Sequence, residues 1–104
     1  MDNPKTDGMA QVKLNTPIKR GDEEITEVSL RKPLGGDLRG LSLNEVLQSD
    51  FVSLAKLVPR ISTPALHEHE MDTMPADDIA EIGGTIFGFF MTPAQKAALK
   101  KITG

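Results

Sequence analysis

Two short stretches of the sequence contain residue types that could carry chemistry. The first is His67-Glu68-His69-Glu70, whose imidazoles and carboxylates are types of group that bind metal ions. Histidines two positions apart on a helix point about 200° apart, so these two cannot close on one ion. The second, Gly35-Gly36-Asp37, lacks the lysine of a phosphate loop and places an acid where the phosphate would lie. The sequence therefore predicts neither a metal site nor a phosphate site.

Covalent catalysis has no visible set of residues either. The chain contains no cysteine, and none of its serines stands in the Gly-x-Ser-x-Gly setting of a nucleophile elbow. Residues 41–91 carry two basic and eight acidic side chains, which disfavours contact with a nucleic-acid backbone. No stretch approaches the roughly 20 apolar residues that a membrane span needs. We therefore expect a protein without enzymatic activity or cofactor, whose partners are neither nucleic acids nor membranes.

The apolar pattern predicts an α+β fold, with an N-terminal β-hairpin followed by a small bundle of three to four α-helices. Residues 1–10 are polar and are expected to form a flexible leader, whereas residues 11–104 are expected to form a single domain. Within that domain we predict the hairpin over 11–33 and helices over 42–58, 63–71, 75–91 and 93–102.

The predicted hairpin has two local features that shape it. Pro17 confines the first strand to a sheet edge, and Gly21 can adopt the positive φ of the turn. In the second strand Ile25 falls on the opposite face from Val28 and Leu30, so we expect a bulge or a late start there. A two-stranded hairpin is marginal alone and needs a helix or another chain on its apolar face.

Capping and proline signals set the predicted helix ends. A capping box at 42–45 starts the first helix, Ser49-Asp50 could split it, and Pro59 is expected to stop it. Thr63-Pro64 is expected to start the next helix. A second capping box, at 92–95, starts the last one.

The predicted helix 75–91 has the strongest amphipathic pattern and ends in three of the four phenylalanines. Phe87 and Phe90 belong to its apolar stripe and are expected in the core. Phe89 lies about a quarter-turn away, so it is either partly exposed beside the flexible Met91 or packed under the last helix. An exposed Phe89 would form an adaptable binding surface with its neighbours Ile86 and Met91.

The same helix carries small residues at every fourth position, namely Ala76, Ala80, Gly84 and Gly88. Such a ridge lets another helix approach closely, and we expect that partner to be another helix of this chain. The candidate residues for binding another protein are Ile86, Phe89, Phe90, Met91, Ala80, Gly84 and Gly88.

Residues 30–41 read Leu-Arg-Lys-Pro-Leu-Gly-Gly-Asp-Leu-Arg-Gly-Leu. This string resembles the tail assembly chaperones of long-tailed phages, the family of the small E-type and Mu-like proteins. The later stretches 57–62 and 75–79 are similar to that family too, and the resemblance covers roughly residues 11–91. We assign its motif residues a structural role, with Arg39 expected to pair with an acid or cap helix carbonyls; they are Leu30, Arg31, Pro33, Gly36, Asp37, Leu38 and Arg39.

The resemblance implies a non-enzymatic protein that binds the long, helical tape measure protein and keeps it soluble during tail assembly. It also implies a location in the cytoplasm of the bacterial host, absence from the mature virion, and a longer form of the same chain made by frameshifting. A homo-oligomer is compatible with it. The acids Glu68, Glu70, Asp72, Asp77, Asp78 and Glu81 are expected to keep such a chaperone soluble.

Two other functions fit parts of the sequence. The edge strand 12–18 could pair with another copy, which would make the chain a structural subunit of a tail or ring. A small regulatory DNA-binding domain is the other alternative, and the acidic middle of the chain argues against it.

Overall fold

The computed structural model describes residues 9–92, together with residues 94 and 95. It confirms the α+β prediction, because a hairpin precedes a group of helices. A single 3-10 turn spans Gly35–Leu38, and the elements are β1 (Met9–Arg20), β2 (Glu23–Arg31), α1 (Leu43–Leu47), α2 (Phe51–Ile61), β3 (Ser62–Thr63), α3 (Glu68–Asp72) and α4 (Ala76–Phe90). The predicted leader ends too late, since Met9 and Ala10 already belong to β1. The predicted last helix, 93–102, lies outside the described residues except for positions 94 and 95.

The sheet is antiparallel with the strand order β1-β2-β3, so β1 lies at an edge, as Pro17 predicted. Gly21 has a φ of 60° in the turn between β1 and β2, a conformation that glycine adopts without steric cost. The short strand β3 extends the sheet on the other side of β2, where Ser62 pairs with Leu30.

The bulge lies in β1, and its predicted position in the second strand is wrong. The register runs continuously to the pair Lys13 and Glu27 and resumes at Ile18 and Ile25, so β1 contains the surplus residues. Ile25 remains half-buried against the core instead of being displaced by a bulge. The backbone of the bulged segment is hydrogen-bonded to α4, an interaction between residues far apart in the sequence.

The helix predicted over 42–58 is two helices, separated at Ser49, which has a φ of 58°. Side chains cap both: Ser42 Oγ accepts the Glu45 N–H at 3.4 Å, and Asp50 Oδ2 accepts the Ser53 N–H at 3.1 Å. α2 continues past Pro59 to Ile61, so the predicted stop is wrong. The helix continues over residues 59–61 because Ile61 is buried in the core. The burial of its apolar side chain stabilises the helical conformation.

The region predicted as a helix over 63–71 is mostly not helical. Thr63 pairs with Ser29 in the sheet, and α3 begins only at Glu68. The intervening chain is held by Ser62, whose Oγ accepts the Leu66 N–H at 3.0 Å, and by burial of Leu66. The Thr63-Pro64 signal failed because β2 offers Thr63 backbone partners that no local pattern reveals.

One hydrophobic core joins the sheet to the helices. The hairpin contributes Val12, Val28 and Leu30 to this core. The helices contribute the fully buried side chains Leu57, Val58, Ile82 and Ile86. The hairpin therefore packs on helices of its own chain, which removes the instability of an isolated hairpin.

The corner after β2 is held by arginines, but not by the one expected from the sequence. Arg31 makes two hydrogen bonds to the Asp37 carboxylate, at 2.7 and 2.8 Å, and a third to the Arg60 carbonyl at 3.0 Å. Arg60 donates to the carbonyls of Asp37 and Arg39 at 2.6 and 2.9 Å. Between residues 9 and 92, Arg31 and Arg60 make the pairing and carbonyl contacts that were expected of Arg39.

The remaining motif residues pack around this corner. Leu30 is fully buried, Pro33 is buried and Leu38 lies half-buried against the core. Gly36 lies inside the 3-10 turn. The Asp37 carboxylate of the same turn also accepts the Leu34 N–H at 2.8 Å.

Candidate protein-binding surface

Two mainly apolar openings of the described chain lie along α4. The first, which we call the α2–α4 groove, has a volume of about 440 Å³ and is lined by Phe51, Leu54, Met71, Met74, Ile79 and Ala80, with Ser49, Asp72 and Ala76 at its sides. The second, the α1–α4 groove, has a volume of about 270 Å³ and is lined by Leu47, Phe87, Phe90, Met91 and Gln95.

The two grooves lie on one face of α4, on either side of Gly83. Ala76, Ala80 and Phe87 lie within about 40° of one another around the helix axis at 100° per residue. From Ala76 to Met91 the strip is about 22 Å long at 1.5 Å per residue. We call the two grooves together the α4 strip.

Gly83 lies between the two grooves and lets α4 approach the junction of α1 and α2. A Cβ atom at this position would lie 3.2 Å from Ser49 Oγ and 3.4 Å from Leu54 Cδ1. Ser49, which has a φ of 58°, is thus the residue of the break between α1 and α2 that lies against Gly83. The close approach sets the width of the strip at its centre.

Within the described part of the chain, no other helix packs on the small-residue ridge at Gly84 and Gly88. Ala80 and Gly84 are exposed, and a Cβ atom at Gly84 or Gly88 would have no neighbour within 4 Å among the described residues. The intramolecular close approach uses Gly83 instead. Ala76 and Ala80 of this ridge line the α2–α4 groove, and Gly84 and Gly88 line neither groove.

Of the three phenylalanines, only Phe87 departs from its predicted position in the core. Phe87 has 43% of its surface exposed, whereas Phe89 and Phe90 are half-buried and pack against the core. Phe89 lies on the flank of α4 that turns toward the sheet, and this burial could not be read from the stripe alone. Ile86 is fully buried and therefore offers no surface to a partner in this fold.

Other exposed apolar side chains extend the surface along α1 and α2. Leu43 is 49% exposed and lies four positions before Leu47, on the same face of α1. Phe51, in the α2–α4 groove, is 39% exposed. Together with Phe87, these side chains present apolar area to solvent at both ends of the α4 strip, a feature typical of protein-binding surfaces.

The acids around this surface divide into exposed and structural groups, which corrects part of their expected role. Asp72, Asp77 and Glu81 are exposed, so they can maintain solubility next to the strip. Glu70 and Asp78 are buried, and both are fully engaged by the hairpin.

Glu70 joins α3 to the end of β1. Arg20 donates to Glu70 Oε2 at 2.8 Å and to Oε1 at 2.7 Å, and its guanidinium also reaches the Ala65 carbonyl at 2.7 Å. These hydrogen bonds from Arg20, together with the His67 backbone N–H, lower the pKa of Glu70 to about 2. The hydrogen bonds from Arg31 likewise hold the pKa of Asp37 at about 2. Both carboxylates therefore serve the architecture.

The histidines are arranged differently from the helical geometry assumed above. His67 precedes α3 in an extended conformation, and its ring stacks on that of His69 with centroids 5.4 Å apart. The argument that the rings point to opposite sides is therefore wrong. Among the described residues, no three His, Cys, Asp or Glu side chains are grouped so that they could hold a metal ion. No helix within the described part of the chain is long and apolar enough to cross a membrane.

Comparison with known proteins places these features in a family. Residues 11–91 match the family model described as phage tail assembly chaperone proteins E, or 41 or 14. Tail assembly protein E of Escherichia phage P2 is 38% identical over 78 residues, which are 75% of this chain and 86% of that protein. Tail assembly protein E' of the same phage is 38% identical over 80 residues, 77% of this chain but only 56% of that protein. No solved structure matches. The chain belongs to the family of phage tail assembly chaperones.

Proposed function

We propose that this tail assembly chaperone acts without catalysis, by binding a tape measure protein and keeping it soluble until the tail is assembled. The observation that carries the proposal is the α4 strip, which exposes apolar side chains along one helix edge next to exposed acids. A long helical client that tends to aggregate needs this kind of temporary cover for its apolar face.

The dimensions of the strip support a helical client. About 22 Å corresponds to about four turns of an α-helix, and the two grooves are separated by the Gly83 contact. An amphipathic helix places apolar anchors on one face at such intervals, which is the helix-in-groove mode of recognition. Three of the candidates named from the sequence, Ala80, Phe90 and Met91, line the grooves, whereas Gly84 and Gly88 line neither. Phe87 joins them as the most exposed aromatic side chain of α4.

The strip is also suited to release. Its apolar side chains are only partly exposed, so a bound helix gains modest buried area and correspondingly modest affinity. A chaperone that must leave the client when the tail tube forms needs binding of this strength.

Co-expression tests the proposal directly. The tape measure protein of the same phage should be recovered in the soluble fraction with this chain and should remain insoluble without it, and a pull-down should recover the pair. An equally insoluble client in both cultures would contradict the proposal.

A structural subunit that assembles through its edge strand is the second candidate, since β1 does lie at a sheet edge. Three successive positions of that edge, however, offer no free donor. The N–H groups of Asn15 and Thr16 bind Asp78, and Pro17 has none. We therefore favour the chaperone. Mass spectrometry of purified tails separates the two, because a subunit would be abundant in them and an assembly factor absent.

We further propose that the chaperone works in the cytoplasm of the bacterial host and has a longer form of itself made by frameshifting. The two relatives support the longer form, because they match this chain over 78 and 80 residues, which are 86% of one relative and 56% of the other. Mass spectrometry of infected cells would detect peptides that continue this sequence in another reading frame.

A further inference from the structure

The α1–α4 groove borders the point where residues 96–102 continue the chain. Gln95 lines this groove with Leu47, Phe87, Phe90 and Met91. Thr92 and Gln95 form a reciprocal capping box, in which Gln95 Oε1 accepts the Thr92 N–H at 2.9 Å and Thr92 Oγ1 accepts the Gln95 N–H at 3.1 Å. Such a box satisfies backbone donors at the start of a helix. A helix that begins here starts on the wall of the groove.

The sequence after Gln95 has its larger apolar residues at the spacing of one helix face. Ala98, Leu99 and Ile102 follow Gln95 by three, four and seven positions. Lys96, Ala97, Lys100 and Lys101 have the spacing of the other directions. On a helix that continued from Gln95, the face of Leu99 and Ile102 would be the face of Gln95, which lines the groove.

We propose that residues 96–102 dock on the α1–α4 groove, with Leu99 and Ile102 covering Leu47 and Phe87. Leu99 is one helical turn, about 6 Å, beyond Gln95, so the groove is within direct reach. The groove's lining is apolar apart from Gln95, which suits aliphatic side chains, and the lysines remain in solvent. The chain thereby supplies a ligand for one half of the α4 strip.

Docking has a consequence for the chaperone, and this consequence rests on the proposed function. A segment that covers the α1–α4 groove competes there with the client helix. The docking itself does not depend on the identity of the client.

Cysteine pairs test the docking in the full chain, which has no natural cysteine. Leu47→Cys is combined with Leu99→Cys in one variant and with Lys100→Cys in the matched control, and both are oxidised mildly. Lys100 adjoins Leu99 in sequence but points about 100° away on a helix. We expect the Leu99 pair to form an intramolecular disulfide several-fold faster than the Lys100 pair. Equal rates, or a product that is mainly a disulfide-linked dimer, would overturn the proposal.

Leu47→Cys changes the lining of the groove itself, so a second experiment, by NMR, tests the docking with Leu47 in place. Leu99→Ala and Lys100→Ala both keep a good helix former, so they differ mainly in the apolar contact. We expect Leu99→Ala to shift the resonances of Leu47, Phe87 and Met91, and Lys100→Ala to leave them in place. Unchanged resonances in both variants would overturn the docking. Client solubility on co-expression is a separate measurement, so failure of one proposal is distinguishable from failure of the other.

Discussion

The carboxylate of Asp78 accepts the backbone N–H of Asn15 at 2.8 Å, across 63 positions of sequence. Its second oxygen accepts the Thr16 N–H at 3.1 Å, and Asp78 is completely buried. These bonds fasten the first turn of α4 to the bulge of β1. They fix the orientation of the helix that carries the α4 strip.

Replacing Asp78 by alanine should lower the free energy of unfolding by about 3 kcal/mol, because two backbone donors in the bulge lose a charged acceptor. The adjacent Asp77→Ala is the matched control. Asp77 is exposed, and its partner among the described residues is the Asn15 side chain. Asp77→Ala should therefore lower the free energy of unfolding by no more than about 0.5 kcal/mol. Urea denaturation measures both. Similar losses in the two variants would contradict the assigned role of Asp78.

Stability should fall in acid through Glu70 and Asp37. Their pKa values are lowered to about 2 from 4.5 and 3.8, respectively, so their stabilisation is complete above the unfolded values. It is lost as the pH falls from about 5 toward 2, when the folded protein must take up these protons. Glu70→Gln should flatten this part of the pH profile, and the exposed Glu68→Gln should not. Thermal melts at several pH values test the difference.

Arg31→Ala should lower the melting temperature by about 4 to 8 °C, the shift produced by about 1 kcal/mol in a domain of this size. We expect no more, because 41% of the Arg31 side chain is exposed and solvent screens the ion pair with Asp37. Arg39→Ala should leave the melting temperature nearly unchanged. A larger drop in melting temperature for Arg39→Ala than for Arg31→Ala would support the role predicted for Arg39 from the sequence.

Gly84→Ala should stabilise the chain by about 0.5 to 1 kcal/mol, since a methyl group meets nothing there and alanine favours the helix. Gly83→Ala should gain less, because its methyl group would press on Ser49 Oγ at 3.2 Å. Chemical denaturation of both variants gives the comparison. An equal gain at the two positions would mean that α4 does not approach Ser49 closely.

The parts of the fold that sequence could predict are those set by local rules. The α+β order, the edge position of β1 and the break at Ser49 follow from periodicity, proline and capping. The bulge, β3 and the burial of Asp78 depend on partners distant in sequence, which no local pattern specifies.

The exposure of the α4 side chains could be predicted only in part. Phe87 was predicted in the core but is 43% exposed, because a stripe drawn at 100° per residue does not reveal which part of α4 the rest of the fold covers. The contribution of Leu47 could not be foreseen either, since it depends on the bend that brings α1 beside α4.

The central claim is that the α4 strip binds the client, and a pull-down of the tape measure protein with two matched variants tests it most directly. Phe87→Ser alters the strip, whereas Val52→Ser alters another exposed apolar residue, 59% exposed, outside both grooves. Circular dichroism first establishes that both variants are folded. We predict that Val52→Ser retains the client and Phe87→Ser loses most of it. Full retention by Phe87→Ser would contradict the account.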